Sequence, residues 1–245
     1  MTGRYSIAGY CIEICSMYGQ VHALCRDYKC DDTPRFVVKT EQGDIDYERE
    51  CSAAEDRAAG RAVREFPDSY LETLAVYRKI ADGLLEHDTL LFHGSCIAVE
   101  GAAYLFTAKS GTGKSTHTAL WREYFGERAV MVNDDKPLIR LTAEGAVVYG
   151  TPWRGKHDLG ENISMPLRAV CVLERAEDNH ICTVEKRSIY PMLLQQTHRP
   201  ADPGKMAKTL MLIDRLCASV GLYRLGCNMQ IQAAKVAYEG MAKDK

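Results

Sequence analysis

Ser110-Gly111-Thr112-Gly113-Lys114-Ser115-Thr116 stands between an apolar run at residues 102–108 and a helix-forming stretch at residues 116–125. These residue types suit polyphosphate. Gly111 and Gly113 leave no Cβ to block backbone N–H groups that turn inward around phosphate oxygens. The helix that follows points its partly positive end at the same place. Lys114 has the reach for β- and γ-phosphates, and the Ser115 hydroxyl can ligate Mg²⁺. Ala108 occupies the place where the pattern usually has its first glycine. A ligand-free glycine-rich connection is the bland alternative. Gly-Lys-Ser-Thr between a strand and a helix makes a nucleoside triphosphate site the expectation.

Asp134 and Asp135 close the next apolar run, residues 128–133, and are separated from Lys114 by one helix and one strand. Such a strand can return beside the loop and bring its carboxylates to the phosphates. One would hold Mg²⁺ and the other would accept a proton from an attacking hydroxyl. In isolation Asn133-Asp134-Asp135-Lys136 is a polar turn closing a strand; beside a phosphate loop the pair is a candidate for chemistry. His93 enters by register. If Glu100-Gly101 is a two-residue hairpin turn, Val99 pairs with Ala102 and His93 falls opposite Ala108, at the mouth of the loop. There the ring tunes an acid or contacts phosphate, or it is a strand histidine in a core hydrogen bond; the residues leave both open.

Residues 151–158 bring Pro152 and Trp153 as a stiff apolar edge, then Arg154, Lys156 and His157 as a cluster of cations. With Gly150, Gly155 and Gly160 as flexible points, the segment is expected to be a lid that closes over phosphates.

Positioning such groups takes an α/β core. Residues 89–99 and 102–108 predict two strands, and residues 128–133, 146–152 and 168–175 predict more. A short strand at residues 222–226 sits between helices expected over 203–221 and 228–243. Residues 67–88 form an amphipathic helix with Leu71, Leu74, Tyr77, Ile80, Ala81 and Leu84 as its apolar stripe. Residues 1 to about 50 alternate with glycine and aspartate breaks, predicting short antiparallel strands, and residues 52–66 are helix-prone. The division expected is a β-rich and helical region, residues 1–87, packed on a core of residues 88–245.

Residues 90–116, followed by residues 128–135, resemble the catalytic core of HPr kinase/phosphorylase. They are similar, more distantly, to the nucleotide site of phosphoenolpyruvate carboxykinase. The resemblance covers roughly residues 88–175, with a looser echo in the C-terminal helices, and implies a P-loop α/β core with a mixed sheet. It implies that Lys114 and Ser115 hold phosphates and metal. Asp134 would be the general base, Asp135 the Mg²⁺ partner and His93 an auxiliary group. The family's downstream Arg-Gly signature is replaced here by residues 150–167. Arg154, with Lys156 as second candidate, would supply its charge stabilisation; both are otherwise solvated loop cations. The family's larger N-terminal domain has no counterpart in residues 1–87, which sets this chain among divergent relatives that act on peptide precursors or small hydroxylated molecules.

A net charge of −2 supplies no basic field for nucleic acid. No apolar run approaches the roughly 20 residues that cross a bilayer. Glu13 interrupts the first apolar stretch too early for a signal peptide, so a cytoplasmic protein is expected. Its 10 cysteines are scattered along the chain, which fits reduced thiols. Cys11, Cys15, Cys25 and Cys30, with His22 among them, match no common zinc or iron–sulfur spacing. The function expected is an ATP- and Mg²⁺-dependent phosphotransferase acting on a hydroxyl of a peptide, protein or small molecule. A nucleotide-binding module without catalysis is the alternative. The oligomeric state is open, a homo-oligomer included.

Overall fold

The computed structural model describes residues 1–242 of the 245-residue chain. The expected helix end at Lys243 and the last residues of the expected core lie outside the described residues. The chain divides into two compact units, Met1–Leu84 and Leu85–Lys245.

In the first unit, β1 (Thr2–Ile7) and β2 (Tyr10–Cys15) form an antiparallel hairpin in which Ile7 pairs with Tyr10. The short helix α1 (Gln20–Leu24) follows, then β3 (Phe36–Lys39). The third strand lies parallel to β2, with Ile12 opposite Phe36, and so departs from the antiparallel arrangement expected. Residues 42–50, expected to be strand, instead open helix α2 (Gln42–Ala58). The reason is local. Asp44 accepts the backbone N–H of Glu41 at 3.0 Å in a capping box, and Gln42 bonds Asp46 one turn on. Helix α3 (Asp68–Leu84) buries Leu71, Tyr77, Ile80, Ala81 and Leu84 of the expected stripe, while Leu74 is half-buried. Glu72 is also fully buried on this helix.

The second unit is an α/β layer structure around one mixed sheet. In chain order its elements are β4 (Thr89–Leu91), β5 (Ser95–Val99), β6 (Ala102–Thr107), α4 (Lys114–Phe125), β7 (Ala129–Asn133), β8 (Leu138–Leu141), β9 (Ala146–Tyr149), β10 (Ser164–Arg175), β11 (His180–Thr183), α5 (Lys186–Gln196), α6 (Pro203–Ser219), β12 (Gly221–Cys227) and α7 (Gln232–Ala242). The sheet runs β4-β8-β9-β10-β6-β5-β7, with β12 on β10 and β11 on β12. Strand β10 is parallel to both β6 and β12, whereas β5 is antiparallel to β6 and to β7. Both faces are covered, and alternation along the central strands sorts the side chains. Cys96, Ala98, Ala103, Leu105, Val170 and Val172 face one core with Ile189 and Leu193 of α5 and Leu212, Ile213 and Leu216 of α6. Ile97, Val99, Tyr104, Phe106 and Cys171 face the other with Trp121 of α4 and Ala234, Ala237 and Met241 of α7. Among the described residues no helix is long and apolar enough to cross a membrane.

Three details bear on the site. The β5–β6 turn has φ of 53° at Glu100 and 79° at Gly101, and Val99 pairs with Ala102 as the register arithmetic required. The run at residues 89–99 is not one strand. It breaks between β4 and β5, and β4 pairs with β8 instead of β6. Strand β7 lies beside β5, so the paired aspartates arrive one strand away from the strand that feeds the glycine-rich loop.

Candidate active site

Helix α4 begins at Lys114, behind a loop in which Gly111 has φ of 78° and Gly113 φ of 122°. Both values are cheap for glycine and costly for a side chain bearing Cβ. The loop is solvent-facing at Ser110, Gly111 and Thr116, while Ala108 and the strand behind it are buried. A cavity of about 680 Å³ opens in front of it. Ser110, Gly111, Gly113, Lys114, Ser115 and Thr116 line this cavity, and so do His93, Asp134, Asp135 and Lys156. Thr112 lines a neighbouring cavity, and Arg154 lines neither.

Lys114 donates to the Ala108 carbonyl at 3.2 Å. Burial pushes its pKa down, and the charges of Asp135 and Asp134 offset part of that. The ammonium is therefore held by a single weak backbone contact beside two carboxylates, an arrangement that a polyphosphate can displace.

The two aspartates differ. Asp134 is 5% exposed; its Oδ1 accepts the Ser95 hydroxyl at 2.6 Å, and Ser95 in turn meets Thr118 at 2.9 Å. Asp135 accepts the Lys136 ammonium at 2.6 Å and lies 3.4 Å from His93 Nε2. Burial pushes the Asp135 carboxyl up, but the His93 hydrogen bond and the Lys136 charge outweigh it and hold the group well below the usual carboxylate range. Asp135 is thus a persistent anion. Its oxygens and the Ser115 hydroxyl are hard donors of the kind Mg²⁺ takes.

His93 sits in the break between β4 and β5. Its backbone N–H bonds the Gln196 carbonyl at 2.7 Å and its carbonyl accepts the Thr107 hydroxyl at 3.2 Å. The backbone is spent on the fold and the ring is left to Asp135.

Three positioning residues were not singled out from the sequence. Asn133 is fully buried, and its Oδ1 accepts the backbone N–H groups of Asp135 at 2.9 Å and Lys136 at 2.7 Å. Its Nδ2 donates to Thr151 Oγ1 at 3.0 Å. Asparagine folding the chain back on itself is common turn chemistry, so the residue before the Asp pair was the available signal. Ser95 and Thr118 left no such signal, because each is one hydroxyl in an otherwise ordinary strand or helix.

The segment expected to be a mobile lid is tied down. Thr151, Pro152 and Trp153 are buried. Gly150 donates to the Ile163 carbonyl at 2.9 Å, and a Cβ there would overlap the Glu161 carbonyl oxygen. Glycine at this position serves a close backbone approach, not a hinge. Beyond the turn, Leu159 accepts the Asp134 N–H at 3.0 Å. Only residues 155–158 are exposed. Gly155 has φ of 69°, and a Cβ on it would lie 2.8 Å from Asp135 Cβ, so this turn packs directly on the carboxylate. Lys156 and His157 reach the cavity from it, whereas the Arg154 guanidinium lies 3.9 Å from Asp158.

The N-terminal cysteines do not converge with His22. Its ring nitrogens are taken by Tyr5 Oη at 2.7 Å and Ser16 Oγ at 2.8 Å, while Cys30 Sγ lies 3.1 Å from Cys11 Sγ.

Among solved structures the chain is similar to the Hpr(Ser) kinase/phosphatase from Coxiella burnetii, with a TM-score of 0.35 and 9% sequence identity. The match covers 62% of this chain and 97% of that one. No family model matches the chain, and no curated protein matches it.

Proposed function

We propose that this chain is a phosphotransferase that moves the γ-phosphate of ATP to a hydroxyl of a peptide, protein or small molecule. The observation that carries the reading is one cavity in which Lys114 and Ser115 of a phosphate-binding loop meet two unequal carboxylates, Asp134 and Asp135. The loop's N–H groups and the start of α4 bind the phosphates, and Lys114 leaves the Ala108 carbonyl to neutralise β- and γ-oxygens. Ser115 and Asp135 would hold Mg²⁺, which when bound supplies charge neutralisation on the phosphates. Ser95 fixes one oxygen of Asp134, and the other is available to take the acceptor's proton as its oxygen attacks phosphorus. His93 keeps Asp135 ionised and oriented. Lys156 approaches over the cavity and stabilises charge on the transferred group; Arg154 serves that role only if the turn at residues 155–158 shifts it inward. The ten cysteines are all free thiols, which fits a cytoplasmic enzyme.

The low exposure of Asp134, 5%, also fits a second reading, a nucleotide-binding module in which that carboxylate is structural. Calorimetry with MgATP followed by transfer from γ-labelled ATP to panels of hydroxyl-bearing peptides, proteins and small molecules separates them. Binding with label transfer supports the kinase. Binding without transfer to any acceptor supports the module, and no binding removes both.

A further inference from the structure

Behind the phosphate loop lies a second cavity of about 470 Å³, within the range of small-molecule sites. It shares Gly111, Gly113 and Thr116 with the first cavity, so a single ligand wrapped by the loop can occupy both. Its walls are of another kind. Leu120 and Leu173 contribute apolar surface, and Met229, 79% exposed, forms an apolar rim. Arg175 closes one side and donates to the Gly111 carbonyl at 2.7 Å, fixing the loop between the two spaces.

His117 also lines this cavity and is 2% exposed. The indole N–H of Trp121 donates to its Nε2 at 3.0 Å, so that nitrogen is the acceptor. Because it accepts there, Nε2 carries no proton and the ring is neutral. A neutral imidazole that accepts at Nε2 carries its proton on Nδ1. Phe106 packs edge-on against the ring at 4.5 Å and holds its orientation. Yet His117 Nδ1, buried, has no hydrogen-bond partner among the described residues. A buried donor left unmade is costly, and such groups mark missing ligands or waters.

We infer that the second cavity seats the nucleoside half of the nucleotide, with His117 Nδ1–H donating to an acceptor atom on its base. The inference rests on the proposed phosphate site, since the shared loop is what links the two spaces. Leu120 and Leu173 take the flat faces of a base between polar neighbours, and the buried His117 donor reads its edge. The phosphates need neither.

The test compares ATP with inorganic tripolyphosphate, which offers the phosphates without the nucleoside, by calorimetry on the full chain. Wild type is expected to bind both, ATP more tightly. His117→Gln is expected to lose about three- to tenfold in ATP affinity and little in tripolyphosphate affinity, the size of one hydrogen bond. Ala176→Trp, which fills the cavity from its wall, is expected to reduce ATP binding to the level of tripolyphosphate. Equal affinity of wild type for the two ligands overturns the inference while leaving the phosphate site standing. Binding of neither overturns the phosphate site and the inference together. Should His117→Gln fail to fold, the ¹⁵N resonances of the wild-type imidazole decide. A shift of Nδ1 and slowed exchange of its proton with ATP, and not with tripolyphosphate, is expected; an unchanged Nδ1 means that water satisfies it and overturns the inference.

Discussion

Each unit of the chain holds a buried carboxylate and a histidine, half-buried in the first and buried in the second, and the two pairs are used differently. Glu72 in the first unit spends both oxygens inside the fold: Oε1 accepts the Met17 N–H and the Thr40 hydroxyl, each at 2.6 Å, and Oε2 accepts the Tyr18 N–H at 2.8 Å. It ties a loop to a helix. Asp134 in the second unit is nearly as buried, but its described hydrogen bond runs from Ser95 to one oxygen, and the residue lines the 680 Å³ cavity. The histidines repeat the contrast. His22 has both nitrogens engaged, whereas His117 has one. Burial of a polar group therefore says little about function. Hydrogen-bonding capacity left over beside a cavity says much more.

Four experiments break or sharpen this contrast. The largest effect is expected at Asp134. Asp134→Asn keeps the Ser95 contact and the volume but cannot take a proton, so phosphate transfer should slow at least about a hundredfold with MgATP affinity nearly unchanged. A collapse of binding instead, measured by calorimetry, makes Asp134 structural like Glu72. The reciprocal change, Glu72→Gln, sets an amide among donors that all need an acceptor. It should cost about 2 kcal/mol of urea stability while nucleotide affinity of the folded protein holds. Lys114→Ala removes a fixed charge from the phosphates and should weaken ATP about tenfold without moving the melting temperature, because that side chain makes one weak contact in the fold.

The smallest effect concerns pH. The His117 imidazole titrates near 6.5 when unfolded and at about 3 in the fold. Between those values the unfolded chain binds a proton that the folded one refuses, so stability falls as pH falls through that window. The share from His117 should be about 1 kcal/mol between pH 7 and 5.5. Urea denaturation at both pH values, compared between wild type and His117→Gln, measures it; an equal decline in both assigns the pH dependence elsewhere.

Much of the candidate site was visible in residue types alone. The glycines, lysine and hydroxyls of residues 110–116 encode a strand-to-helix turn through short-range backbone chemistry, and the Glu100–Gly101 hairpin sets its own register by turn geometry. The amphipathic helix of residues 68–84 and the alternation of β5 and β6 are likewise local periodicities. What misled was also local. The alternation in residues 42–50 ignored the Glu41–Asp44 capping box. The cluster of glycines around residues 150–160 looked like freedom when it was close packing.

By itself, the order of amino acids determined that a glycine-rich strand-to-helix loop would form and that two carboxylates would follow it at the end of a strand. Those depend on neighbours a few residues away. Tertiary structure alone decided that β7 returns beside β5, that Ser95 takes one oxygen of Asp134 while His93 and Lys136 take Asp135, and that His117 Nδ1 finds no partner among the described residues. Such assignments depend on which strands pair across tens of residues and on which polar groups meet there. The residue types fix a group's capacity to bond, and only the packed chain fixes how much of that capacity remains for a ligand.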